Sequence, residues 1–233
     1  MSCATDGIPE DLVADSLMSG GIARASFGSL EAFVRACGKL GEILSIDDVS
    51  LIAGSRRHVS NPGSIPFHSD GPAADVVAWF CIRQDEEAGE SLLADAVPIL
   101  RGLAPAHRAH LRSVNIPYFD HAHPGKPAGY CALLRGNHEA EWCLNYASWL
   151  LPEMGEDQRA AVAALDDALS AVVATSLRLA PGQSLFIDNW RILHARGALR
   201  PDSRRHLKRI WLRTPRASRM DRIAARPDRR AVL

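Results

Sequence analysis

The stretch P-F-H-S-D-G at positions 66–71 sets an imidazole, His68, and a carboxylate, Asp70, two residues apart, directly after the turn-rich run S-N-P-G-S-I-P. On an extended segment residues i and i+2 point to the same side, so these two can face a single metal ion. A third donor, His194, closes the distant run L-F-I-D-N-W-R-I-L-H, an apolar strand followed by a polar turn. Two histidines and one carboxylate make the facial triad that leaves coordination positions open on non-heme Fe(II). Ligands so far apart in the chain need strands from distant segments to meet at one end of a sheet.

Outward from that stretch, the chain supplies such strands. Residues 76–82, V-V-A-W-F-C-I, form a continuous apolar run of strand length, as expected of a central strand covered on both faces. Residues 43–52, 91–97, 130–134 and 184–187 also read as strands. The last, 206–213, puts Leu207, Arg209, Trp211 and Arg213 on one face and Lys208, Ile210 and Leu212 on the other. Helices lie between them. Ser29 is the expected N-cap of one, with Leu30, Phe33, Val34, Cys37 and Leu40 at helical spacing. A short helix after position 97 precedes another with Pro105 in its first turn. Between Pro152 and Pro181 the spacing of Val162, Leu165, Leu169, Val172, Val173 and Leu177 predicts a long amphipathic helix, with Arg178 at its end. The pattern is mainly β with flanking α: a jelly-roll or double-sheet barrel with added helices.

The 233 residues fit one domain, with a core expected over 22–214 and a basic tail over 215–233. Balanced charge (27 basic, 27 acidic residues) and 47% hydrophobic content describe a soluble globular chain. The N-terminal sequence carries acids where a secretory signal has basic residues, and no run is long enough for a membrane span, so the expected location is cytoplasmic. Five cysteines, Cys3, Cys37, Cys81, Cys131 and Cys143, lack any C-x-x-C pair and read as reduced thiols in the core. From Arg200 onward twelve Lys or Arg face three acids. That run reads as a solvated tail plus a few arginines turned inward, and it lacks the aromatic interleaving that single-stranded nucleic acid needs.

Arg205 and Arg209 fall eleven and fifteen residues after His194 and share one side of the strand returning past the metal. Guanidiniums facing a buried cavity are costly unless an anion meets them. His68-x-Asp70, the A-G-E-S turn ending at Ser91, D-N-W-R before His194, and R-R-H-L-K-R together resemble the taurine dioxygenase and clavaminate synthase-like group of Fe(II)/2-oxoglutarate-dependent oxygenases, over roughly 67–213. The resemblance implies a double-stranded β-helix (jelly-roll) core. It implies that His68, Asp70 and His194 bind Fe(II), that Arg205 pairs with the distal carboxylate of 2-oxoglutarate, and that Ser91 replaces the usual Thr beside it. Arg209 matches a position near the other end of 2-oxoglutarate or the acidic group of the substrate. The carboxylate at Asp70 excludes the halogenase variant, in which a small residue opens a halide position.

The implied reaction consumes O2 and 2-oxoglutarate, releases succinate and CO2, and hydroxylates a C–H bond, with desaturation or cyclisation as variants on the same ligands. Two polar and aromatic clusters, 116–123 and 138–146, line a pocket or pack as loop and core. From the second, Glu139, Glu141, Trp142, Asn145 and Tyr146, with Arg209, are the candidate contacts of a small-molecule substrate carrying a carboxylate, an amino acid or a derivative from a biosynthetic route. No nucleic acid or membrane partner is expected. The competing readings are a zinc-type hydrolase, which leaves the paired arginines unexplained, and a nucleic-acid binder using the basic C-terminus.

Overall fold

A computed structural model describes residues 10–55, 57–119 and 126–214. The expected basic tail, Cys3 and part of the 116–123 cluster lie outside the described residues. In chain order the first elements are α1 (Glu10–Gly20), β1 (Ile22–Ser26), α2 (Leu30–Leu40), β2 (Glu42–Ser50), β3 (Ile65–His68), β4 (Val76–Arg83) and β5 (Ser91–Asp95). Next come α3 (Ala96–Gly102), α4 (Pro105–Ser113), β6 (Asn115–Tyr118), β7 (Gly129–Ala132), β8 (Leu134–Arg135) and β9 (Cys143–Leu144). The chain continues with α5 (Glu156–Ala171), β10 (Thr175–Leu177), β11 (Gln183–Asp188), β12 (Ile192–Arg196) and β13 (His206–Arg213).

Two antiparallel sheets carry the architecture: five strands in the order β1-β11-β4-β13-β2, and four in the order β10-β5-β12-β3. Neighbours in these sheets come from distant sequence, which is the topology of a jelly roll. Strand alternation decides what each layer sees. In β4, Val77, Trp79 and Cys81 face the four-stranded sheet, together with Leu185 and Ile187 of β11 and Leu207 of β13. The opposite residues Val76, Ala78 and Phe80 join Phe186, Ile210 and Leu212 against Phe33 and Cys37 of α2. Both faces of β4 are therefore covered, as its unbroken apolar run requires. Behind the four-stranded sheet, Ala94 and Leu193 pack with Leu100 of α3, Leu111 of α4 and Leu165 of α5.

Local chemistry explains most element ends. The Ser29 hydroxyl accepts the Ala32 N–H at 3.2 Å and starts α2 where the sequence indicates. Three expectations are corrected. The strand expected over 91–97 stops at Asp95, because that carboxylate accepts the Val97 N–H at 3.0 Å and caps a helix there. The long helix expected up to position 177 ends at Ala171: Val173 is 98% exposed, and Leu177 leaves the helix to pair with Ser91 at the edge of the four-stranded sheet. The β-branched Val172-Val173 pair disfavours another helical turn, and an unpaired edge of β5 is available to the backbone. The strand expected over 130–134 divides at Leu133, so that β7 pairs with β6 and β8 with β9. Helix α1 and strand β1 were not anticipated. The cysteine expectation holds for Cys37, Cys81, Cys131 and Cys143, which are buried free thiols.

Phe33 is the centre of the layer beneath α2, with ring centroids 5.4 Å from Phe80 and 5.8 Å from Phe186. In urea unfolding, Phe33→Ala is expected to cost about 3–5 kcal/mol. Val173→Ser is expected to change stability by less than about 0.5 kcal/mol.

Candidate functional site

His68 is the last residue of β3, and His194 is its register partner in β12, so antiparallel pairing alone stacks the two imidazoles, 4.1 Å between centroids. Asp70 follows two residues on. Its Oδ1 lies 3.9 Å from the Nε2 of each histidine. Among the described residues these three are the group whose donor atoms converge closely enough to hold a metal ion.

Protonation fits the role. The carbonyl of Pro66 can only accept, so the Nδ1 of His68, 2.9 Å away, carries the proton and Nε2 presents its lone pair to Asp70. Burial, foremost, holds both imidazoles neutral, pushing His194 down to about 3. Burial would raise the Asp70 carboxyl, but Arg209 and then the two histidines and the Trp211 N–H outweigh it and keep it below the usual carboxylate range. Two neutral imidazoles thus face an ionised carboxylate across a gap too wide for a hydrogen bond. A divalent cation completes that arrangement; N and O donors of this kind suit ferrous iron.

The loop bearing Asp70 is held from three sides. Asn189, in the turn between β11 and β12, accepts the Asp70 N–H at 2.8 Å and donates to Ala74 O at 3.0 Å. Ser69 exchanges hydrogen bonds with the backbone of Tyr146. From β13, Trp211 Nε1 donates to Oδ2 at 2.8 Å, and Arg209 Nη1 bridges both oxygens at 3.0 and 3.1 Å. Trp211 therefore occupies Oδ2 and leaves Oδ1 toward the imidazoles. Gly71 lets the loop lie close to β13: a Cβ there would sit 3.0 Å from the Trp211 ring.

A cavity runs between the sheets from His68 and His194 past Trp79 to Ser91, Arg196 and Arg205. Ser91 and Arg205, which the sequence reading assigned to 2-oxoglutarate, both line it. Arg205 is 5% exposed and gives its Nε to Gln84 Oε1 at 3.1 Å. Gly89, at φ 66°, lets the β4–β5 turn pass close by, since a Cβ there would collide with Leu199 Cδ2 and lie 3.2 Å from Arg205 Cδ. Arg209 also lines the cavity, but its guanidinium is committed to Asp70 and to Asp47, 3.4 Å away. That differs from the sequence expectation of a contact with 2-oxoglutarate or substrate.

The five further substrate candidates are not brought to the cavity. Glu139 pairs on the surface with Arg101, and Glu141 accepts the Asn137 N–H at 3.4 Å. Trp142 packs in the core under Arg108. Asn145 gives its amide to Ala132 O, and the Tyr146 hydroxyl donates to Asp166 of α5. Polar character in that segment serves packing and the support of Ser69. The sequence reading missed Arg196, Asn189 and Trp211 as site residues. It also missed Trp149, whose ring lies 5.0 Å from His68 and 4.5 Å from an exposed His58. Each of the first three had a signal: Arg196 its two-residue offset from His194, Asn189 its place in D-N-W-R, and Trp211 its strand face shared with Arg209. Lys208 and Arg213 of β13 turn outward to acids, Lys208 to Asp48 at 2.7 Å and Arg213 to Glu42 at 3.1 Å.

The family model of the taurine catabolism dioxygenase TauD, TfdA family matches residues 33–211. FR-33289 synthase of Streptomyces rubellomurinus is 27% identical over 231 residues, covering 88% of this chain and 67% of that protein. A crystal structure of asparagine oxygenase with Fe(II), 2S,3S-3-hydroxyasparagine and succinate superposes with a TM-score of 0.74 at 17% identity, covering 87% of this chain and 78% of that one. The non-heme iron oxygenase OrfP with Fe and alpha-ketoglutaric acid gives 0.69 at 16% identity, covering 93% and 82%. Trp211→Phe removes one donor from Asp70 while keeping a ring in place. Its affinity for Co(II), titrated by absorbance, is expected to fall about tenfold or more.

Proposed function

This chain belongs to the TauD, TfdA family and is an Fe(II)- and 2-oxoglutarate-dependent dioxygenase; we propose that it hydroxylates a C–H bond of an amino acid or an amino-acid-derived small metabolite. The observation that carries the reading is one cavity with His68 and His194 at one part, where Asp70 converges on both imidazoles, and the buried guanidinium of Arg205 at another. Ferrous iron bound there, with 2-oxoglutarate and O2, supplies the oxidising equivalents for oxygen insertion as succinate and CO2 leave.

The chain's own residues do the positioning. His68, Asp70 and His194 would hold the ion. Arg209, Trp211 and Asn189 fix the Asp70 carboxylate so that Oδ1 is the oxygen offered to it. Arg205 neutralises the distal carboxylate of 2-oxoglutarate, with Ser91 as a hydrogen-bonding neighbour. Trp79, packed edge-on against His194 at 4.9 Å, keeps that ring oriented and water out of the inner side. The substrate approaches the opposite flank, where Trp149 and His58 are exposed over His68. A relative bound to a hydroxylated amino acid supports an amino-acid-like substrate. We place the enzyme in a biosynthetic route of the cytoplasm. Its buried free thiols suit a reducing compartment, and no described helix is long and apolar enough to cross a membrane.

Anaerobic titration of the protein with Fe(II) and 2-oxoglutarate is expected to give the visible metal-to-ligand charge-transfer band. His194→Ala should abolish it. Arg205→Ala should raise the 2-oxoglutarate concentration required by about 30-fold or more. An unaltered band in both variants would refute the assignment. Succinate release across a panel of amino acids and their derivatives then identifies the substrate.

A further inference from the structure

Strand β12 delivers more than His194 to the space between the sheets. Ile192, His194 and Arg196 share its inner face: Ile192 packs in the inter-sheet core, while His194 and Arg196 line the cavity. Arg196 is 5% exposed. Its terminal nitrogens donate to the carbonyls of Val59 at 3.3 Å, Asn61 at 2.7 Å and Gly63, and its Nε has no hydrogen-bond partner among the described residues. These contacts bind the β2–β3 loop to the cavity wall. They provide only partial negative charge, and among the described residues no carboxylate meets the guanidinium.

Arg205 lines the same cavity, also 5% exposed, with the neutral Gln84 amide as its hydrogen-bond acceptor. No Asp or Glu is among the residues lining the cavity. The field of Asp85 reaches Arg205, but that carboxylate is engaged by Ser203 and the Arg204 N–H. Burial first, and repulsion from Arg196 second, pull Arg205 down to about 10. Ser91 is the register partner of Arg196 across β5 and β12 and also lines the cavity. Arg196 lies about 7 Å along the strand from His194, so a ligand anchored at both would span a short chain. Two like charges in one dry space, with a hydroxyl between strands beside them, call for an anion with a charged group at that end.

We propose that Arg196 is a second cationic anchor of the cosubstrate cavity, acting beside Arg205 on the distal carboxylate, so that the cavity takes a 2-oxo diacid and rejects a 2-oxo monoacid. This rests on the cavity being the 2-oxoglutarate site. A monoacid would leave both guanidiniums buried and unmet, and discrimination follows from that cost.

The test is an equilibrium titration of the anaerobic Fe(II) protein with 2-oxoglutarate and with 2-oxobutyrate, followed by the charge-transfer band. Arg196→Gln retains an amide for the loop carbonyls and loses the charge. It is expected to weaken 2-oxoglutarate about tenfold and 2-oxobutyrate less than about twofold. Arg196→Lys loses the fork, retains the charge, and is expected to keep the preference for the diacid, which also tests the proposal should the Gln variant not fold. Equal weakening of both acids in Arg196→Gln, no weakening of either, or loss of the preference in Arg196→Lys would overturn it and reduce Arg196 to a fastener of the loop. Arg205→Met separates the two readings. If it leaves 2-oxoglutarate binding intact, the cavity assignment itself fails; if it weakens that binding while Arg196→Gln does not, only the role of Arg196 fails.

Discussion

An ionised side chain in a dry interior costs several kcal/mol unless something of opposite sign meets it, and this protein draws four toward one inter-sheet space. Arg209 and Asp70 meet each other, with Asp47 as a second acid on the guanidinium. That group sets one guanidinium against two carboxylates and holds the metal-facing carboxylate still. Arg196 and Arg205 have no such partner on the cavity wall. The interior is therefore short of a cation where the imidazole lone pairs face Asp70, and short of an anion where the two arginines converge. Iron and a dicarboxylate together satisfy both deficits, so the energetic tension of the site and its chemistry have the same origin.

Strand alternation is what makes so concentrated a set of charges possible. Along β12 the inner face reads Ile192, His194, Arg196, while Leu193 turns to the opposite core. Along β13 Leu207 and Trp211 share the inner core with Arg209 on the same cavity, and Ile210 and Leu212 pack beneath α2. A polar residue at one inner position is tolerated because apolar neighbours two residues away keep the layers packed. The sheets are rigid supports, and the parts exposed above His68, the short helices carrying His58 and Trp149, are loop-borne. Substrate choice is expected to vary in such loops while the scaffold persists. Solved structures at 16–17% identity that still superpose over most of the chain show how little sequence the scaffold itself requires.

Much of this was legible in the chain. A continuous apolar run found β4, period-two alternation found β13, and a Ser N-cap with helical spacing found α2, because these signals are local and tied to burial. The spacing of His68, Asp70, His194 and Arg205 carried the centre of the site for a different reason: metal and anion chemistry restricts which residue types serve. What failed was of another kind. Val172 and Val173 continue an apolar helical face on paper, but an edge of β5, supplied by a segment some eighty residues earlier, competes for that backbone. Glu139, Trp142 and Tyr146 have the composition of pocket walls, and their partners Arg101, Arg108 and Asp166 are adjacent only in three dimensions.

The sequence by itself determined which side chains can bind what, since donor type, charge and strand parity are properties of the residues and their spacing. Only the tertiary structure decided which charges meet. Arg209 and Arg196 are both guanidiniums that turn inward from strands, yet one pairs with Asp70 and the other, among the described residues, meets only backbone carbonyls. That difference depends on sheet order and register, which bring β13 beside the Asp70 loop and β12 beside the β2–β3 loop. Electrostatic pairing depends on distance through space, and distance through space is not written in any local stretch of the chain.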